Sequence, residues 1–259
     1  MICSSLTAPG TIRERNQDYL LVAEEMGMAV LADGVGPNGE KSAELLARTF
    51  SSAIREFAHL YSADEALTRL CREFSSALEN IYQTYPASIE GFASLWVHRG
   101  KISLLRFGKS RILCNSPLSE QKSSEYPDIF ATSMKCRERL NFLLISEGIA
   151  AGLTDKYLDN LSKEVMLNPT GENLQLFWNE AAIRYDGDDR SMIAISIEKA
   201  DASIGEPHEL VLCTDLDRQY SIPLWIPASI MSGLGIVSLF VAKKVFSVVK
   251  TLRRHFPRN

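Results

Sequence analysis

The chain has 259 residues, 46% of them hydrophobic and 23% charged, which supplies a packed core and excludes a disordered chain. Its net charge of −4 is uneven, because Lys243, Lys244, Lys250, Arg253, Arg254 and Arg258 follow Ala242 with no acid among them. Setting these aside leaves 22 of the 28 basic residues against 32 acids, so the body carries −10, which argues against nucleic acid as a partner and is compatible with divalent cations.

The cysteines (Cys3, Cys71, Cys114, Cys136 and Cys213) are scattered and never in CxxC spacing. That fits reduced thiols in a cytosolic compartment, not a disulfide framework or a zinc site. The opening Met1-Ile2-Cys3-Ser4-Ser5 lacks a basic region followed by an apolar core, so no secretory signal is expected.

In chain order, the charged run from Thr11 to Asp18 gives way to Tyr19-Leu20-Leu21-Val22, which reads as a first strand. A turn at Glu25 to Gly27 leads into Met28-Ala29-Val30-Leu31-Ala32, an unbroken apolar run of the kind that fills a strand covered on both faces. The pair predicts an antiparallel hairpin, with Arg13 and Asp18 beside the mouth of its second strand. That strand ends in Asp33-Gly34-Val35-Gly36, where the glycines allow a sharp turn and a close backbone approach to a ligand. An ordinary β-to-α turn would look the same.

Apolar residues then recur at helical spacing from Lys41 to Phe57 and again from Ala63 to Tyr82, the second helix entered through Ser62 as N-cap. Phe92 to His98 and Ile102 to Phe107, joined by Arg99-Gly100-Lys101, read as a hairpin, with His98 at a sheet edge. A strand Arg111 to Cys114 follows, then a polar loop over residues 115–128. The strand Asn141 to Ile145 runs into Ser146-Glu147-Gly148 and a helix continuing to about Val165, and Gly187-Asp188-Asp189 opens a last strand from Met192 to Ile197. Asp33, Glu147 and Asp188 thus stand at strand ends. If they converge at one edge of a sheet stack, they make an oxygen-only site suited to Mg²⁺ or Mn²⁺, able to generate a metal-bound hydroxide near neutral pH. Spacing alone does not dictate that convergence.

These segments, in this order, resemble the bacterial branch of the PPM (PP2C-type) metal-dependent serine/threonine protein phosphatases. Arg13-x-x-Asn16-Gln17-Asp18 resembles R-x-x-N-[EQ]-D, and Ala32-Asp33-Gly34-Val35-Gly36 with Gly39-Glu40-Lys41-Ser42-Ala43 resembles A-D-G-M-G…G-E-x-A-S. Gly108-Lys109-Ser110-Arg111 resembles G-D-S-R, Leu143-Leu144-Ile145-Ser146-Glu147-Gly148-Ile149 resembles L-L-x-T-D-G-L, and Asp188-Asp189-Arg190-Ser191 resembles D-[ND]-x-[ST]. The resemblance implies an α+β fold, a four-layer αββα sandwich over residues 1–198, with two Mg²⁺ or Mn²⁺ ions between the sheet ends. It implies that Asp33 bridges both metals and the Gly34 carbonyl binds one. Asp188 and Glu147 would hold the other, with Asp18 acting through waters. Arg13 would grip the phosphate of a phosphorylated protein, made by a Ser/Thr kinase, while a metal-bridging water attacks phosphorus.

The chain departs from that pattern. Glu147 replaces an Asp and reaches one methylene further, and Lys109 replaces the Asp that supports a third, looser metal in bacterial members, so no third metal is expected. Pro37-Asn38 shortens the glycine loop, and the polar segment after Cys114 is short for a substrate flap. The competing expectation is a pseudophosphatase that binds phosphoproteins without turning them over.

Beyond a linker over residues 199–221, residues 222–242 run about 20 positions without a charge, the length of a transmembrane helix. Trp225 stands at one interface and Lys243-Lys244 opens a basic tail, 243–259, at the other. The expectation is a single-pass anchor in membrane lipid with the catalytic domain cytoplasmic. The positive tail taken alone favours the reverse orientation, and shallow insertion of Val245 to Leu252 on anionic lipid is a further alternative.

Overall fold

The apolar run that ends in Asp33 is buried at every position, and its alternate side chains enter two separate cores. Met28, Val30 and Ala32 join one core, Ala29 and Leu31 the other. Such a strand belongs inside a layered stack. The computed structural model describes residues 1–116, 118, 129–169, 171–185 and 187–198. Its elements are β1 (Ile2–Ala8), β2 (Tyr19–Ala23), β3 (Met28–Gly34), α1 (Gly39–Leu60), α2 (Ala63–Thr84), β4 (Ile89–His98), β5 (Lys101–Gly108), β6 (Arg111–Cys114), β7 (Ile129–Lys135), β8 (Leu140–Ile145), α3 (Glu147–Ala150), α4 (Asp155–Leu167), α5 (Gly171–Arg184) and β9 (Arg190–Ile197).

All strand pairs are antiparallel and fall into two sheets, ordered β1-β9-β8-β6 and β2-β3-β4-β5-β7. Phe50 and Ile54 of α1 and Leu70 and Phe74 of α2 cover the outer face of the five-stranded sheet, meeting Phe92 and Trp96. Leu95, Val97, Ile102, Phe142, Leu144, Ile193 and Ile195 fill the space between the sheets. Leu158 and Val165 of α4 and Leu174 and Phe177 of α5 cover Leu143, Ile145 and Met192 on the far side of the four-stranded sheet. Helices, sheet, sheet, helices is therefore the order of layers. Apolar stripes one face wide set it, since each element must bury that face.

Several sequence expectations need correction. The first strand is β1, not Tyr19–Val22, and β7 and α5 were not foreseen. The helix expected to run from Gly148 to Val165 is interrupted after Ala150. There Gly152 packs so tightly that an added Cβ would lie 2.6 Å from that of Tyr185, and Thr154 restarts the helix by accepting the Tyr157 N–H. His98 is not at an edge. It is fully buried on β4, which is flanked by β3 and β5, with its ring stacked on Trp96 at 4.3 Å. Ser62 does open α2, bonded through its amide and hydroxyl to Glu65.

Among the described residues no helix is long and apolar enough to cross a membrane. The linker over 199–221, the span 222–242, the tail 243–259 and most of the short loop after Cys114 lie outside the described residues.

Candidate functional site

Strand register delivers the site. β8 and β9 pair so that Ile145 stands opposite Met192, which brings Ser146-Glu147 and Asp188-Asp189 to the same end of one sheet. In the other sheet, β3 pairs with β4 up to Gly34 opposite Ile89, with a bulge between Asp33 and Gly34. Glu90, at the start of β4, therefore lies beside the end of β3. β4 then pairs Gly91 with Gly108, so Lys109, one residue past β5, reaches Glu90 and its backbone N–H donates to the Glu90 carbonyl at 3.1 Å. Gly34 is obligatory here, because a Cβ would stand 2.4 Å from the Gly39 carbonyl oxygen and 2.5 Å from that of Gln17.

The two sheet ends meet at Asp33, whose Oδ2 accepts the Glu147 N–H at 3.1 Å. Arg13 Nη2 donates to Asp188 Oδ1 at 2.8 Å. Glu90, Glu147 and Asp188 each turn a carboxylate oxygen to within 4.8 Å of the others. Lys109 Nζ binds Glu90 Oε1 at 2.5 Å and Glu147 Oε2 at 2.8 Å. The neighbouring Asp189 does something else: its Oδ1 accepts the Gly10 N–H at 3.0 Å and its Oδ2 the Gln17 N–H at 2.8 Å. With both oxygens committed to backbone, it braces the loop that carries Arg13 and Asp18.

Asp18 is 8% exposed, and neither of its carboxylate oxygens has a hydrogen-bond partner. The Ser191 and Ser146 hydroxyls and the Asp33 carboxyl face it and draw its pKa down in part, while Ser191 Oγ also lies 2.7 Å from Thr7 Oγ1. Burial first, then the negative charge of Asp189, pushes the Asp18 carboxyl up to about 7. Asp33 is raised well above the ordinary range, first by burial and then by the charge of Asp18, against the opposing Glu147 amide. Ionised carboxylates held this way are costly unless a cation offsets them. An orphaned pair of buried oxygens beside oxygen-only neighbours fits a hard divalent ion, whose ligands are carboxylates, carbonyls and water.

The structure thus brings Arg13, Asp18, Asp33, Gly34, Glu147 and Asp188 to one end of the sheet stack. Asp18 is deeper than a surface charge preceding a strand would be. Glu90 was missed by the sequence reading. Its signal was present in Ile89-Glu90-Gly91, an acid followed by a glycine, but at the start of a strand and in no motif. A cleft of about 640 Å³ opens beside the acids, lined by Arg106, Lys109, Arg111, Glu147 and Leu153 among others.

No protein-family model matches the sequence, and no curated protein sequence matches it. Solved structures do. PppA from Pseudomonas aeruginosa, described as a key regulatory component of T6SS, superposes with a TM-score of 0.59 at 17% identity over 76% of this chain and 97% of its own. The Mycobacterium tuberculosis serine/threonine phosphatase PstP/Ppp gives 0.60 at 14% identity over 76% and 98%. The catalytic domain of PstP in complex with two manganese ions gives 0.58 at 15% identity over 76% and 98%. Register, layers and these superpositions together assign the chain the fold of the PPM (PP2C-type) serine/threonine phosphatases.

Proposed function

We propose that the chain is a metal-dependent phosphatase that hydrolyses phosphoserine and phosphothreonine in proteins phosphorylated by a Ser/Thr kinase. The observation that carries this reading is Asp18, a buried carboxylate without a hydrogen-bond partner, beside Asp33 at the meeting of the two sheets. Asp33, Asp18, Glu147, Asp188 and the Gly34 carbonyl would hold two Mg²⁺ or Mn²⁺ ions. Such ions, when bound, acidify water and offset phosphate charge. Arg13, held by Asp188 and 28% exposed, keeps further donors for a phosphate and orients it at the acids. Similarity to a structure that contains two manganese ions supports the number of ions.

Residues 222–242 would anchor the domain to membrane lipid from the cytoplasmic side. The charge-free length and flanking Lys243-Lys244 support that placement. The full chain should sediment with lipid vesicles and residues 1–198 should not; equal partitioning removes the anchor.

A second reading, the pseudophosphatase, is favoured by one contact. Lys109 already holds the Glu147 carboxylate. Hydrolysis of p-nitrophenyl phosphate with Mn²⁺, beside an Asp33→Ala control, decides between them. A rate in the parent chain far above the control supports the enzyme, and equal rates leave only a binding role.

A further inference from the structure

The Lys109 ammonium stands among the acids, where a small cation would be expected. Its Nζ is 2.5 Å from Glu90 Oε1 and 2.8 Å from Glu147 Oε2, two carboxylates that with Asp188 already lie within 4.8 Å of one another. Two backbone features fix where this half-exposed side chain starts. The β4–β5 pairing and the Lys109 N–H to Glu90 carbonyl bond fix where the lysine stem leaves the sheet. Gly91 is packed against Ser110, with an added Cβ only 2.3 Å from Ser110 Oγ, so the turn after β5 is held close to β4. The arrangement also opposes ionic crowding: without the ammonium, Glu90 and Glu147 would face each other and Asp188 as like charges.

We propose that Lys109 is a tethered cation: its ammonium fills a cation position between Glu90 and Glu147, orients both carboxylates before any metal arrives, and excludes one divalent ion from the centre. This rests on reading the neighbouring acids as a divalent-ion site. It makes Lys109 a positioning residue whose charge cannot be removed by a chelator. A divalent ion coming to Glu147 shares that carboxylate with the ammonium, and the ion that Glu90 and Glu147 would otherwise hold together is displaced. An ammonium supplies charge and three donors but does not acidify water.

Lys109→Met removes the charge and keeps the stem. Titration calorimetry with Mn²⁺ should show one more ion per chain in Lys109→Met than in the parent, or one ion bound at least about tenfold more tightly. Glu90→Gln added to Lys109→Met should abolish that gain. The same number of ions at the same affinities in parent and variant overturns the proposal. No Mn²⁺ binding by either protein overturns the metal-centre reading instead, and then a metal-independent measurement judges Lys109. In chelator, Lys109→Met should melt roughly 2–4 °C below the parent, and the Glu90→Gln double variant should recover part of the loss. Additive effects of the two substitutions overturn the pairing itself.

Discussion

The Glu147 backbone N–H donates to Asp33 Oδ2 at 3.1 Å, joining residues 114 positions apart and the ends of two different sheets. Asp33→Asn keeps an acceptor for that bond and removes a buried group whose ionised form is disfavoured. The metal-free protein should therefore melt higher, because a carboxylate that burial holds far above its ordinary range is gone. Mn²⁺-dependent hydrolysis should fall by about 10³-fold or more, as when a charge-stabilising group is lost. A lower melting temperature with activity intact would contradict both halves.

Asp18 predicts a pH dependence opposite to that of a salt-bridged acid. Its folded value of about 7 lies above the ordinary 3.8, so the folded chain keeps a proton that the unfolded chain gives up between those values. Its effect on metal-free stability is thus least unfavourable below the lower value, worsens through the window by up to about 1.4 kcal/mol per pH unit, and is flat above it. Melts in chelator between about pH 4 and pH 7 should fall more steeply in the parent than in Asp18→Asn. Mn²⁺ binding at the acid end of this window should release protons, read as a heat that changes with the buffer's ionisation enthalpy. Parallel melting curves would remove the assignment.

Asp189 is predicted to matter through the backbone it holds. Asp189→Ala strips acceptors from the Gly10 and Gln17 amides and should destabilise the chain by about 3 kcal/mol in urea unfolding. Since the braced loop carries Arg13, KM for p-nitrophenyl phosphate should rise as well. A loss below about 1 kcal/mol would mean that water replaces the brace.

Substitutions at Arg13 are predicted to separate phosphate binding from metal binding. Arg13→Ala should raise KM and the inhibition constant of inorganic phosphate by about tenfold or more, and Arg13→Lys should recover only part, since an ammonium lacks the bidentate fork. Mn²⁺ affinity should change much less in either variant. A phosphate constant that does not move would leave Arg13 as only a partner for Asp188.

Most strands were legible in the sequence, the edge strands β2 and β6 among them, but β1, β7 and α5 were not. β3, β4, β8 and β9 are read directly because their residues are apolar on both faces. β1 and β7 are edge strands with one neighbour each, and Cys3-Ser4-Ser5 and Thr132-Ser133 show no apolar alternation. α5 buries only Leu174, Phe177 and Ala181 of its residues, too sparse a stripe to stand out. In the site, acids that close an apolar strand announced themselves, whereas Glu90 depends on cross-strand register, which no local pattern encodes. The contact between Lys109 and Glu147 is hidden for the same reason: it joins two sheets.

The apolar layer between the sheets has a consequence at a distance. Asp33 is mounted on one sheet, Glu147 and Asp188 on the other, and Leu31, Leu95, Leu144 and Ile193 are what keep the two platforms from slipping past each other. Ion affinity is then a gauge of interior packing: shaving a methyl group from that seam, remote from every charge, should loosen the grip of the acids before it unfolds anything.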